Sequence, residues 1–396
     1  MNGQEPMKAS HVEVEMPEKG AHLSEEGVIP LAATEGLNIF HLSKPNPFLK
    51  DLEPLKKAGL IPPGVLLYNA NTPLRLLFRL SGTIVRAVLF SYSFWLIMSV
   101  HVFLSVMYYR MGFQHTRTDT TNVKHTDWPF LRSSTYTGFL GTLVSFCLVF
   151  QTTQSYNRFF RQYECCGEIV RNARAFHRAM RGVFDDGTCP GAKATRHRLY
   201  KYIIAKMYLG FAWLPHYRRV QVNVWVFDYL RREGFFTPQE AEQIANIPKH
   251  AKPFGMIAKW IQLLLHREQQ RGNISDRALD RLMTNIRGLN RHVGILNEYA
   301  SMPVPFAFYH LLNVMAIGYL LLLAYTQVFS SYFYGIFPMA LTALVTLGLR
   351  ELSNALADPF NEDDTDIAIL DMAASARAEF KAILDFELPD YENKED

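Results

Sequence analysis

AVLFSYSFWLIMSVHVFLSVMYY, residues 87–109, is apolar and aromatic and holds no Asp, Glu, Lys or Arg. At 1.5 Å per residue a helix of this length crosses the ~30 Å hydrocarbon layer of a bilayer. Three further runs follow. Residues 135–153 are weaker and rich in Gly, Ser and Thr, as suits a helix that faces other helices or water. Residues 304–329 and 333–349 are apolar and separated by a few uncharged residues, which predicts a tight hairpin. One such run can be mimicked by a buried core helix; four in one chain predict an all-α, multi-pass membrane protein with four spans.

Composition agrees. The 396 residues are 49% hydrophobic, 13% aromatic and only 20% charged, yet mean hydropathy is close to zero, so very apolar stretches coexist with very polar ones. A net charge of +4 is too mild for a nucleic-acid binder, and no nucleic-acid-reading motif accompanies it. Cys147, Cys165, Cys166 and Cys189 make no zinc spacing and no disulfide framework, which suits a reducing cytosolic face. No phosphate-binding glycine loop, H-E-x-x-H helix or Ser/His/Asp arrangement stands out, and no catalytic role is expected.

Residues 1–60 carry seven acidic residues and two lysines before position 40 and little periodic hydrophobicity, and so predict a disordered acidic tail. The first arginine is Arg75 and no apolar core lies near Met1, unlike a transit peptide or a secretory signal. Residues 154–303 are dense in Arg and Lys, with helical periodicity broken at Pro190, Pro215, Pro238 and Pro248, and predict a helical cytosolic region. Basic Arg75, Arg79 and Arg86 before the first span put its start on the cytoplasmic side, and an even number of spans returns the C-terminus there. The folded body is expected over 61–384, with a C-terminal tail at 385–396.

Within the second run, Thr142, Phe146 and Phe150 recur at i, i+4 and i+8 on one helix face, flanked by Phe139 and Leu143 and followed by Gln151, Thr152, Thr153 and Gln154. Such a stripe suits a core packed on a neighbouring helix. It also suits the lining of a narrow apolar throat made by several copies around an axis, gating by dewetting. Phe ring edges are electropositive, which favours anions. The next residues, Ser155 to Glu164, carry Arg158 and Arg161 out of the span; Arg158 and Glu164 suit pairing with neighbouring helices. After the fourth run, Asp358-Pro-Phe-Asn-Glu-Asp-Asp-Thr-Asp366 places five carboxylates in nine residues. That density suits open water or a cation, and Ca²⁺ takes six to eight oxygens from carboxylates and carbonyls. The spacing is not that of an EF-hand.

These segments together resemble the bestrophin family of pentameric anion channels. Leu140-Gly141 through Phe150 and on to Ser155-Tyr-Asn-Arg-Phe-Phe160 is similar to its neck helix, Arg161-Gln-Tyr-Glu164 to its animal members, and Met302-Pro-Val-Pro-Phe-Ala-Phe-Tyr309 to the T-P-x-P-x-x-Y start of the third span in its bacterial branch. Asp358 to Asp366 resembles the N-P-F-G-E-D-D-D-D segment. The resemblance covers about Arg75 to Leu384. It implies a homopentamer among membrane lipids, at the plasma membrane or an endomembrane, passing small anions with chloride first. Thr142, Phe146 and Phe150 would be neck residues. Asp363 and Asp366 would supply side-chain oxygens, and Ala355 and Asp358 backbone carbonyls, to a Ca²⁺ clasp. In the family a neighbouring subunit's N-terminal segment adds a carbonyl, expected here near Tyr68 to Asn71. Three departures from the family pattern are Gln151 for a common Arg, Thr142 for an aliphatic residue and Asn361 for Gly. Bicarbonate conduction is the alternative within the class; a membrane-bound Mg²⁺ enzyme and a non-conducting scaffold are alternatives outside it.

Overall fold

The computed structural model describes residues 46–64, 82–110, 134–184, 191–248, 251–302, 304–363 and 365–386. Among these residues the regular structure is helical, with no strand. Helices α1 (Pro47–Lys50), α2 (Glu53–Lys57), α3 (Ile84–Leu89) and α4 (Tyr92–Arg110) lead into a 50-residue helix, α5 (Ser134–Val183). Then come α6 (Ala192–Ala212), α7 (Pro215–Arg219), α8 (Val222–Arg232), α9 (Pro238–Ala245), α10 (Pro253–Gln270) and α11 (Asp276–Ser301). The chain closes with α12 (Phe306–Ser331), a 3₁₀ turn (Tyr332–Gly335), α13 (Ile336–Ala357) and α14 (Ile369–Asp385).

Proline punctuates this order for a simple reason. Lacking an N–H and fixed near helical φ, it fits the first helical position, and Pro215, Pro238 and Pro253 each open a helix. Thr237 adds a reciprocal capping box with Glu240.

Helix α5 is the axle. At 50 residues it runs about 75 Å. Its N-terminal part packs on α12 and α13 through Val144, Leu148 and Ala316. Its C-terminal part enters a large core shared by α6 to α11, α14 and the α1–α2 segment, where Ile169, Phe176, Ile203, Leu289 and Phe380 are fully or almost fully buried. At Gly288 of α11 an added Cβ would stand 2.2 Å from Asn172 Oδ1.

Phe306–Phe329 and Phe333–Ala357 are long and apolar enough to cross a membrane, and most of their residues lie outside the chain's own core. Tyr92–Tyr108 is apolar but shorter. The predicted hairpin at 304–349 is present, and its second helix continues eight residues past Leu349. The run 87–109 is divided: α3 ends at Leu89, and α4 starts at Tyr92. The Ser91 hydroxyl accepts the Ser93 N–H at 3.3 Å, and the Trp95 indole donates to the Leu89 carbonyl at 2.7 Å, so one orphan backbone group is satisfied at each helix end at the break.

The expected tail over 1–60 needs correction at its end. Residues 1–45 lie outside the described residues, but Asn46–Ile61 is folded onto the large core. Asn46 caps α1, and Leu52, Leu55 and Ile61 are buried. Lys56 pairs with Asp371 of α14 at 2.8 Å, and the Tyr229 hydroxyl donates to Asp51 at 2.6 Å. The apolar residues here are too few and irregularly spaced to announce helices, and tertiary burial supplies what propensity does not. Most of the predicted C-terminal tail, residues 387–396, also lies outside the described residues.

Candidate functional site

The face of α5 that bears Thr142, Phe146 and Phe150 is turned away from the chain's own helices. Phe146 is 70% exposed and Phe150 49%, with Phe139 and Thr142 also open. The opposite face is sealed: Val144, Leu148, Gln151 and Ser155 are buried, and Ser155 and Ser353 share a 2.9 Å hydroxyl bond with α13. The i, i+4, i+8 stripe is therefore not part of the chain's packed core. Thr142 donates its hydroxyl to the Gly138 carbonyl at 3.0 Å, satisfying its polar atom within the helix. Thr153 does the same to Val149 at 2.9 Å. The helix can approach α12 closely because of Gly141, where a Cβ would come 2.9 Å from the Tyr319 hydroxyl.

Arg158 is bonded to the ends of two other helices. Its Nε donates to the Ala357 carbonyl at 3.0 Å, and its Nη2 to the carbonyls of Tyr299 and Met302. One guanidinium thus caps the C-termini of both α11 and α13, where helix carbonyls lack partners and the dipole is negative. The pairing with neighbouring helices expected for Arg158 is present, through carbonyls and not a carboxylate. This junction fixes the middle of α5 relative to the acidic loop that follows α13.

That loop is closed by bonds of its own. The Asp363 N–H donates to Asp366 Oδ2 at 3.0 Å, the Asp366 N–H returns to the Asp363 carbonyl at 3.0 Å, and Asn361 Nδ2 donates to the Asp358 carbonyl at 3.0 Å. Phe360 is buried in the large core, and Glu362 reaches His216 at 2.9 Å. Burial, reinforced by the Asp363 and Asp358 carboxylates, pushes the Asp366 carboxyl up to about 7 against the backbone bonds that favour its charge. Beside the loop is a cleft of about 720 Å³ whose lining includes Glu351, Ala355, Glu362 and Asp363, with Arg86 and the start of α3 across from them. Of the four expected clasp residues, Asp363 and Ala355 border this cleft, whereas the Asp366 oxygen and Asp358 carbonyl already accept bonds within the loop. The donors are hard oxygens, the kind Ca²⁺ takes. Among the described residues no group of three or more His, Cys, Asp or Glu side chains is gathered for a metal ion. Asp364 and Tyr68 to Asn71 lie outside the described residues.

Two features have no clear sequence signal. Lys206, inside the run YIIAKMYLGFAWL, is fully buried, donates to the Phe254 carbonyl at 3.1 Å and lies over the Phe254 ring; burial pulls its pKa down to about 7. Arg377 sits over the ring of Phe48 at 4.0 Å and binds Tyr229 and Glu233, tying α14 to α1 and α8. A lone cation in an apolar run is the only hint the sequence offers for Lys206.

Residues 67–382 match the family model described as "Bacterial/Fungal Bestrophin protein". The fold is similar to the crystal structure of a bacterial bestrophin homologue from Klebsiella pneumoniae, with a TM-score of 0.62 and 16% identity over 75% of this chain and 99% of that one. It is similar also to two single-residue mutants of the Klebsiella homologue, at TM-scores of 0.62 and 0.60, with 16% and 17% identity over 74% of this chain and 98% of each mutant chain. No curated protein matches the chain.

Proposed function

The chain belongs to the bacterial and fungal bestrophin family, and from that premise we propose that it is a membrane channel for small anions, built as a homopentamer around the exposed stripe of α5. The observation that carries this reading is the stripe itself: Phe139, Phe146 and Phe150 stand open on a helix whose other face is fully packed. Large apolar side chains at such exposure need lipid, a partner or a narrow dry passage around them. One subunit has too few helices to enclose such a passage, so several copies share it.

In the channel the Phe rings form a throat too apolar to hold water firmly, and their electropositive edges favour an anion over a cation. Chloride is the first candidate and bicarbonate the second. Conduction is passive, and no residue is assigned a catalytic role. Both termini and the helical body lie on the cytosolic side, where its arginines and lysines raise local anion concentration.

Ca²⁺ is the proposed ligand of the cleft beside Asp363, where Glu351 and the Ala355 backbone add oxygen donors. It would supply a positive charge joining the end of α13 to the acidic loop. Loss of calcium sensitivity in Asp363→Asn, with assembly intact, is the expected result. Purified protein in planar bilayers under a chloride gradient tests the main reading: the reversal potential should follow the chloride equilibrium potential. Current that follows the cation gradient, or no current from intact oligomers, would overturn it.

A further inference from the structure

A second cleft, of about 380 Å³, opens between α5 and the start of α12. Gln154, Arg158 and Arg161 come from one face of α5, at spacings of four and three residues; Val304 and Phe308 form part of the other wall. Its lining contains two guanidinium groups and no carboxylate. Arg158 commits Nε and Nη2 to helix carbonyls, which leaves Nη1 outside those bonds. Arg161 is exposed and joins none of the ion pairs among the described residues.

The Asp358 carboxylate offsets part of the Arg158 charge, but Arg161 adds a second cation to a lining that holds no carboxylate, which suits an anion, and the guanidinium fork fits the oxygens of a phosphate. Location narrows the source. The apolar stretch of α12 begins at Phe306, and Met302 and Phe306 beside it are exposed. Aromatic side chains at the end of an apolar helix, beside arginines, mark the level where a bilayer meets water. A free anion would use the arginines but leave the apolar wall uncovered; a phospholipid uses both.

We propose that this cleft binds the phosphate of an anionic phospholipid, with Arg161 and Arg158 Nη1 on its oxygens and the first acyl methylenes against Val304 and Phe308. The proposal rests on the membrane reading above but not on conduction, and binding is measured without current. Native mass spectrometry of the full-length protein, titrated separately with phosphatidylglycerol, phosphatidylcholine and inorganic phosphate, tests it. Phosphatidylglycerol should bind at least tenfold more tightly than phosphatidylcholine. Arg161→Gln should remove most of that preference and leave phosphatidylcholine binding unchanged, while Arg161→Lys retains part of it and shows that the fold is intact. Equal binding of the two lipids, or wild-type phosphatidylglycerol affinity in Arg161→Gln, would overturn the proposal. Inorganic phosphate binding as tightly as phosphatidylglycerol would overturn the lipid assignment in favour of a free anion.

Discussion

Replacing both Phe146 and Phe150 by Ala separates a passage lining from a packed core. Burying a Phe side chain completely contributes ~1.5–3 kcal/mol, and these two rings keep 70% and 49% of their surface open within the subunit. Scaled by what is buried, the pair stabilises one subunit by about 2 kcal/mol, and the better helix propensity of Ala returns a few tenths of that. Two core Phe residues would instead cost ~3–5 kcal/mol each on truncation, because each leaves a cavity. The double variant should therefore unfold only slightly earlier than the parent in a detergent melt, while its unitary current rises because the throat is wider and wetter. A loss of thermal stability on the scale of two core cavities, with conductance unchanged, would refute the argument.

Gly288→Ala should destabilise by about 1–3 kcal/mol, because its Cβ would meet Asn172 at 2.2 Å and displace the bond from Asn172 to the Glu168 carbonyl; adding Asn172→Ala should recover most of the loss in the same melt. Arg158→Ala strips the donor from three carbonyls and should cost roughly 2–4 kcal/mol, and Arg158→Lys should not restore it, since an ammonium lacks the fork. Lys206 binds its proton more weakly folded than unfolded: its pKa is about 7 against 10.5. The unfolded chain therefore holds more protons between these values, and stability should rise with pH from about 7 towards 10.5. Lys206→Met should flatten that slope in unfolding titrations and raise stability most at pH 7 and below.

How far the sequence reveals the fold depends on what each element spends its residues on. The hairpin at 304–349 is legible because it is an uninterrupted apolar run, and a missing charge is a strong signal for a segment facing lipid or other helices. The break at Phe90–Ser91 is not, since the residues on both sides are apolar and the bonds that close it come from Ser91 and Trp95. The continuity of α5 is hidden for the opposite reason: its character changes from apolar to charged near Gln151, while the helix runs on to Val183. Sequence places Thr142, Phe146 and Phe150 on one face, but only the packing of Val144 and Leu148 decides which face is open. The acidic loop is obvious in composition, yet the bonds that commit Asp366 and the Asp358 carbonyl within it depend on a turn that no spacing rule encodes. Arg158 is conspicuous as a cation at the end of the predicted second span; its three carbonyl partners come from residues about 140 and 200 positions away in the chain.

Cysteine accessibility across α5 tests the lining of the passage most directly. In a background with the native cysteines replaced, Phe146→Cys and Val144→Cys place a thiol on the open and the sealed face of the same helix turn. A charged, membrane-impermeant thiol reagent applied to open channels in a bilayer should cut the current of Phe146→Cys sharply and leave Val144→Cys untouched. Block at position 144 with none at 146 would contradict an axial passage lined by this stripe.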